Sequence, residues 1–136
     1  MIELLVHYDD NHNEATANPS ELDIVTAINS LDGITKLIIM LSSTQGYLFV
    51  HASQQQRMHV SYTRDGGFAA YLIDTNESPD RILKFAHGNG EIDEWSVYET
   101  VAKETALEIA TVFFRNDAFP KGTAWKGNIE DLPIVS

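Results

Sequence analysis

The chain has no cysteine, no long apolar run and few basic residues among its 136 positions. Without cysteine it forms neither a disulfide framework nor a thiolate zinc site. Residues 37–56 make the longest uncharged stretch, but polar and glycine positions at 42–46 interrupt it, so it predicts two strands and a turn rather than a membrane span. The N-terminus carries Glu3 where a signal peptide needs basic residues. We therefore expect a soluble cytoplasmic protein.

Negative charge dominates. The 20 acidic residues against nine basic ones give a net charge of −11 at pH 7, and the first 35 residues contain no lysine or arginine. Such a field repels nucleic acid and anionic membranes, and it speeds the encounter with a basic protein. The alternative is that acidity only maintains solubility. The charge thus excludes a nucleic-acid-binding role and permits a basic protein partner without requiring one.

The pattern of elements predicts an α+β fold within a single domain that spans residues 1–136. Ser20 followed by Asp23 is a capping-box pattern that begins a first helix, and Gly33 is expected to stop that helix. A second helix is predicted from Ala102 to about Arg115. Between and around them we expect a mostly antiparallel sheet of about six strands, on which the two helices pack.

Two neighbouring strands allow a test of register. If residues 47–52 and 58–64 pair about Gln55, the apolar set forms one face, as a core requires: Leu48, Val50, Ala52, Met58, Val60 and Tyr62. The opposite face then carries Tyr47, Phe49 and His51 against Thr63, Ser61 and His59. Two hairpin turns are also predicted, one at Asp65-Gly66-Gly67 and one at residues 87–90.

Histidines supply the residues with the most obvious chemical potential. His51 and His59 would face each other, as metal ligands or as a proton-transfer pair, yet no carboxylate is placed to orient them. We therefore expect two polar residues on an exposed sheet face. A second group, His7, Asp9, Asp10 and His12, has ligand-like spacing but lies on a strand exit and a polar loop. We interpret it as a solvated loop and predict neither a metal site nor a cofactor.

Three acids, Glu91, Asp93 and Glu94, flank Trp95 on a predicted strand. Paired carboxylates beside a tryptophan can act on a sugar, but alternation places Asp93 and Trp95 on one face and Glu94 on the other. An aromatic anchor ringed by acids better fits contact with a basic, partly apolar pocket. Core packing of Trp95 is equally compatible. No catalytic motif is present, and we predict that the protein is not an enzyme.

A series of marks recurs in order along most of the chain: Leu31-Asp32-Gly33, the strands of residues 47–73 with their glycine-marked turn, Gly90-Glu91, the helix of residues 106–114 with its paired aromatics, Pro120 and Trp125. In this order of elements the chain resembles one family, immunity protein family 1 of bacterial polymorphic toxin systems. The chain departs from the pattern at Ala102, where a proline or cap residue is expected, and around Gln55, where glycines are expected.

The resemblance implies an antidote that binds and neutralises the C-terminal toxin domain of a cognate toxin, often a nucleic-acid deaminase. It transfers no binding motif, so the interface is predicted from the residues alone: Glu91, Asp93, Glu94, Trp95, Tyr47, Phe49, His51 and His59. Alternatives are a small-ligand-binding domain that uses the Tyr47/Phe49/His51/His59 face, an enzyme that uses that face or the His7–His12 loop, and an adaptor whose acidity has no function. A pocket at the histidine face, or a bound metal, favours the first two, and a flat or convex acidic surface with an exposed Trp95 favours the antidote.

Overall fold

The first helix begins at the capping residues that the sequence predicts. In the computed structural model, which describes residues 1–64, 68–128, 130 and 132–135, helix α1 spans Glu21–Ser30. Ser20 caps it, and the reciprocal capping box with Asp23 is formed. The predicted stop is misplaced, because Leu31 already leaves the helix with extended backbone. Gly33, with φ +73°, lies in the turn that follows.

The second helix, α2, spans Lys103–Asn116 and ends where Asp117 adopts a left-handed conformation. Ala102 occupies its N-cap position without a side-chain hydrogen bond, so this helix relies on its buried stripe. That stripe places Ala106, Ile109, Ala110 and Phe113 in the core.

The described residues form ten strands in two sheets: β1 (Glu3–Tyr8), β2 (Asn13–Ala17), β3 (Lys36–Ser42), β4 (Tyr47–Ala52), β5 (Arg57–Arg64), β6 (Phe68–Leu72), β7 (Ile82–Gly88), β8 (Glu91–Ser96), β9 (Val101–Ala102) and β10 (Trp125–Gly127). The main sheet of eight strands runs β10-β6-β5-β4-β3-β1-β2, and β9 pairs with β5. Strands β7 and β8 make a separate hairpin. The predicted α+β class, with two helices and a mostly antiparallel sheet, is confirmed.

The predicted register of β4 and β5 is confirmed, with Leu48 opposite Tyr62 and His51 opposite His59. The apolar face of this pair joins both helices in the main core, where Tyr62 meets Phe113 and Phe119 edge to face. The turn predicted at Asp65-Gly66-Gly67 lies outside the described residues, whereas the one at residues 87–90 joins β7 to β8.

The β7–β8 hairpin packs on the face of the main sheet opposite the helices. Its apolar side holds a second small core of Leu83, Phe85 and Val97, with Trp95 packed against it. At the turn, Asn89 N–H donates to Asp9 O at 3.2 Å and ties the hairpin to the loop after β1, and at the open end Val97 N–H donates to Arg81 O at 2.8 Å and extends the pairing of the two strands. The hairpin therefore forms a third layer over part of the sheet.

Candidate functional site

The hairpin buries the two facing histidines. His51 and His59 are each 6 % exposed, so the expectation that they stand on an exposed sheet face is wrong. The physical reason is the third layer, which strand alternation alone does not reveal. The amphipathic face of β4 and β5 is a seam between the sheet and the hairpin rather than a free surface.

Backbone carbonyls fix the tautomer of both rings. His51 Nε2 lies 2.8 Å from Ala86 O, and His59 Nδ1 lies 2.9 Å from Glu99 O. Because a carbonyl oxygen only accepts, each of these nitrogens carries the proton and donates it. The other nitrogen, Nδ1 of His51 and Nε2 of His59, is then a bare acceptor in the neutral ring.

Burial also keeps these rings neutral. Desolvation lowers the pKa of His51 below its ordinary value, and it lowers the pKa of His59 to about 4. The hydrogen bonds that the rings donate to carbonyls oppose this shift but do not reverse it. At neutral pH both side chains present lone pairs, not charges.

Trp95 packs inward. Its ring stacks on His59 with centroids 3.7 Å apart, and it leans on the small hairpin core. Its indole Nε1 is buried and has no hydrogen-bond partner within the described part of the chain. Of the two readings of Trp95, packing is the one that the geometry favours.

Two further histidines join the seam. His7 Nε2 donates to the His87 carbonyl at 3.1 Å, and the rings of His51 and His87 lie 5.8 Å apart. Four of the five histidines in the chain therefore meet here, from β1, β4, β5 and β7. No local sequence signal places His7 beside His87, because their contact joins residues 80 positions apart.

A groove runs along the seam as two adjoining cavities of about 190 and 300 Å³. The cavities share Ile38, Phe49 and His87 as lining residues. The smaller cavity is the polar end, and its other lining residues are His51, His59, Ser61, Asp93 and Trp95. The larger cavity is the apolar end, and its other lining residues are Leu5, His7, Asn13 and Met40. The sequence does carry a signal for this apolar lining: alternation along β3 places Ile38 and Met40 on the same side of the sheet as Phe49.

The groove unites two sets of predicted site residues. Phe49, His51 and His59 come from the sheet, and Asp93 and Trp95 come from the hairpin. Tyr47, which is 39 % exposed, does not line the groove, nor do Glu91 and Glu94. These last two are exposed on β8, as are Ile92 and Asp93.

The loop that carries ligand-like residues does not assemble a centre. His12 pairs with Asp10 and stacks on Tyr8, while His7 turns away to the hairpin. Among the described residues, no three histidine, aspartate or glutamate side chains are arranged to hold a metal ion.

No family model, curated protein or solved structure matches this chain. In the described part of the chain, neither helix has the length and apolar character needed to cross a membrane.

Proposed function

We propose that this chain is an immunity protein, which binds the C-terminal toxin domain of a cognate polymorphic toxin in the cytosol and neutralises it without catalysing a reaction. The observation that carries the proposal is β8, whose residues Glu91, Ile92, Asp93 and Glu94 are all exposed. Among the described strands β8 pairs only with β7. Its second edge is thus open to a partner, and its side chains are acidic.

Apolar anchors accompany these acids. Ile82 and Ile92 are 52 % and 57 % exposed, and alternation turns both away from the main sheet, since Leu83 and Phe85 face it. Protein interfaces combine a few apolar anchors with a charged rim. The hairpin fits a partner that is basic and partly apolar.

The toxin class is the one that the resemblance to immunity protein family 1 implies, and the charge of the chain is compatible with it. A toxin that acts on nucleic acid, such as a deaminase, needs a basic cleft for its substrate. A protein of net charge −11 is steered toward such a cleft and away from nucleic acid itself. The resemblance to immunity protein family 1 supports the same assignment.

The burial of the histidines changes their place in the predicted interface. His51 and His59 hold the hairpin from beneath, through Ala86 O, Glu99 O and the ring of Trp95. Trp95 also packs inward, so neither it nor the histidines supply an exposed anchor, and the groove beneath the hairpin is the feature that the ligand-binding alternative predicts. The antidote proposal therefore rests on the exposed side chains of β8 and on Ile82, where we place the contact surface, with Tyr47 at the far end of β4.

The test is binding and growth protection against the toxin domain encoded beside this gene. We expect nanomolar affinity and rescue of growth, and we expect Glu91→Lys and Ile92→Ala each to weaken binding about tenfold. Glu108→Lys and Leu22→Ala are the matched controls, because these residues are exposed on the two helices. Absence of binding, or equal losses in hairpin and helix variants, would refute the proposal.

A further inference from the structure

The groove is built as an acceptor site with an apolar end. Its polar end presents the Asp93 carboxylate and two bare imidazole nitrogens, Nδ1 of His51 and Nε2 of His59. Neither bare nitrogen accepts a hydrogen bond from any described residue. Both histidines are more than nine-tenths buried, so the packing around the rings fixes the positions of these two acceptor nitrogens.

An unpaired acceptor in a buried wall favours a ligand that brings donors. Neither nitrogen is among the buried polar atoms left without a partner in the described part of the chain, so both keep contact with solvent, and a ligand donor would replace water there. Ser61 is the one hydroxyl at this end, and His87 Nε2 lies 3.8 Å from Asp93 Oδ2 at the rim. Asp93 attracts positive charge, although burial outweighs that attraction for the His51 and His59 rings themselves. Because the carboxylate is half-exposed at the rim, a cationic donor beside it is preferred over a neutral one.

The other end selects a hydrocarbon body. Leu5, Ile38, Met40 and Phe49 line the larger cavity, whose volume of about 300 Å³ lies at the lower limit of ordinary ligand pockets. A ring or short chain fits there while its donor head lies beside Asp93. The two ends thus select opposite halves of one amphipathic molecule.

We infer that this groove is a binding site for a small organic amine, with its ammonium group beside Asp93, His51 and His59 and its apolar body over Ile38 and Phe49. This role does not require the proposed antitoxin activity, because the groove lies between the hairpin and the sheet and needs no protein partner to complete it; Asp93 is the residue named in both proposals.

The experiment is an NMR titration of the protein at about pH 8, above the ordinary titration range of histidine. The probe is 2-phenylethylamine, and its matched controls are phenylacetate and 2-phenylethanol, which keep the ring and change only the head. Correlations of the imidazole nitrogens report on each histidine separately. We expect saturable shifts of His51 Nδ1 and His59 Nε2 with the amine, weaker binding of the alcohol and none of the acid.

Two variants test the contact. Asp93→Asn removes the carboxylate charge and is expected to weaken amine binding about fivefold to tenfold. Asp80→Asn makes the same change at an exposed aspartate just before β7 and is expected to leave the affinity unchanged. Full affinity in Asp93→Asn, equal binding of all three probes, or no shift up to about 10 mM amine would overturn the inference.

Discussion

At the scale of single residues, His59 couples protonation to folding. In the unfolded chain a histidine has a pKa of about 6.5, whereas burial in the folded protein lowers the pKa of His59 to about 4. The unfolded state therefore binds the proton first as the pH falls. The stability that neutral His59 contributes is complete above about pH 6.5 and is lost progressively toward about pH 4.

The expected loss across this window approaches about 3 kcal/mol for His59, and His51, whose pKa is lowered too, adds in the same direction. The charged groups that act on His59 are His51, Glu99 and Asp93. Urea unfolding at several pH values measures the effect. His59→Gln should flatten the pH dependence, and His12→Gln, at an exposed histidine, should not. An unchanged slope in His59→Gln would contradict the assignment.

Arg57 is the second residue whose geometry carries a prediction. Its guanidinium donates to Thr100 Oγ1 at 2.9 Å, to Thr100 O at 2.9 Å and to Asp74 Oδ2 at 3.0 Å. These bonds tie β5 to the segment that follows β8, through Thr100, and to the segment that follows β6, through Asp74. A lysine ammonium cannot reproduce this planar fork.

We expect Arg57→Lys to lower the free energy of unfolding by about 2 kcal/mol, because buried acceptors lose charge-assisted hydrogen bonds. Arg115→Lys is the matched control, since Arg115 pairs with Glu21 in an exposed salt bridge and its replacement should change little. Chemical denaturation compares the two. Similar losses in both variants would show that the Arg57 fork has no special weight.

At the scale of elements, the β7–β8 hairpin depends on a small core of its own. Phe85 is fully buried at its centre, with Leu83 and Val97 beside it. Phe85→Ala is expected to remove about 3–5 kcal/mol of packing. Because the main core does not include this residue, the loss should fall first on the docking of the hairpin.

Hydrogen exchange distinguishes local from global loss. In Phe85→Ala we expect the amides of residues 82–96 to lose protection while helix α2 retains it. Ile82→Ala, at a 52 % exposed position on the same strand, should leave both regions protected. Equal loss of protection in α2 would mean that the hairpin and the main sheet unfold together.

The same hairpin marks the boundary of what the sequence predicts. Alternation placed Val50 opposite Val60, and the capping box placed the start of α1, because both signals are local. The docking of β7 and β8 onto the His51 side left no local signal, since it joins segments far apart in the chain. A strand with mixed apolar and polar residues on its outer face has the same sequence pattern whether water or another layer of the protein covers that face.

The same restriction to local signals explains which features of the candidate site were predicted and which were not. The residues Phe49, His51, His59, Asp93 and Trp95 were selected one strand at a time, and the structure gathers them in one groove. Their exposure was predicted wrongly for the histidines, because burial depends on the third layer. His7 and His87 lay outside the prediction for the same reason.

At the scale of the whole molecule, the net charge of −11 bears on how fast a partner arrives. Long-range attraction acts on diffusional encounter and is screened by salt over about 10 Å at 0.1 M ionic strength. The short contacts of a formed interface are screened much less. The proposed antitoxin role therefore predicts that salt acts mainly on the association rate.

For the toxin domain, we expect the association rate to fall at least about tenfold between about 0.05 and 0.5 M NaCl, with a much smaller change in the dissociation rate. Surface-based kinetic measurements at several salt concentrations give both rates. Glu91→Lys should reduce the salt slope more than Glu108→Lys, because only the first charge lies on β8, where we place the contact. Equal slopes in the two variants would mean that the acidity of the chain steers the partner as a whole, with no preference for the hairpin.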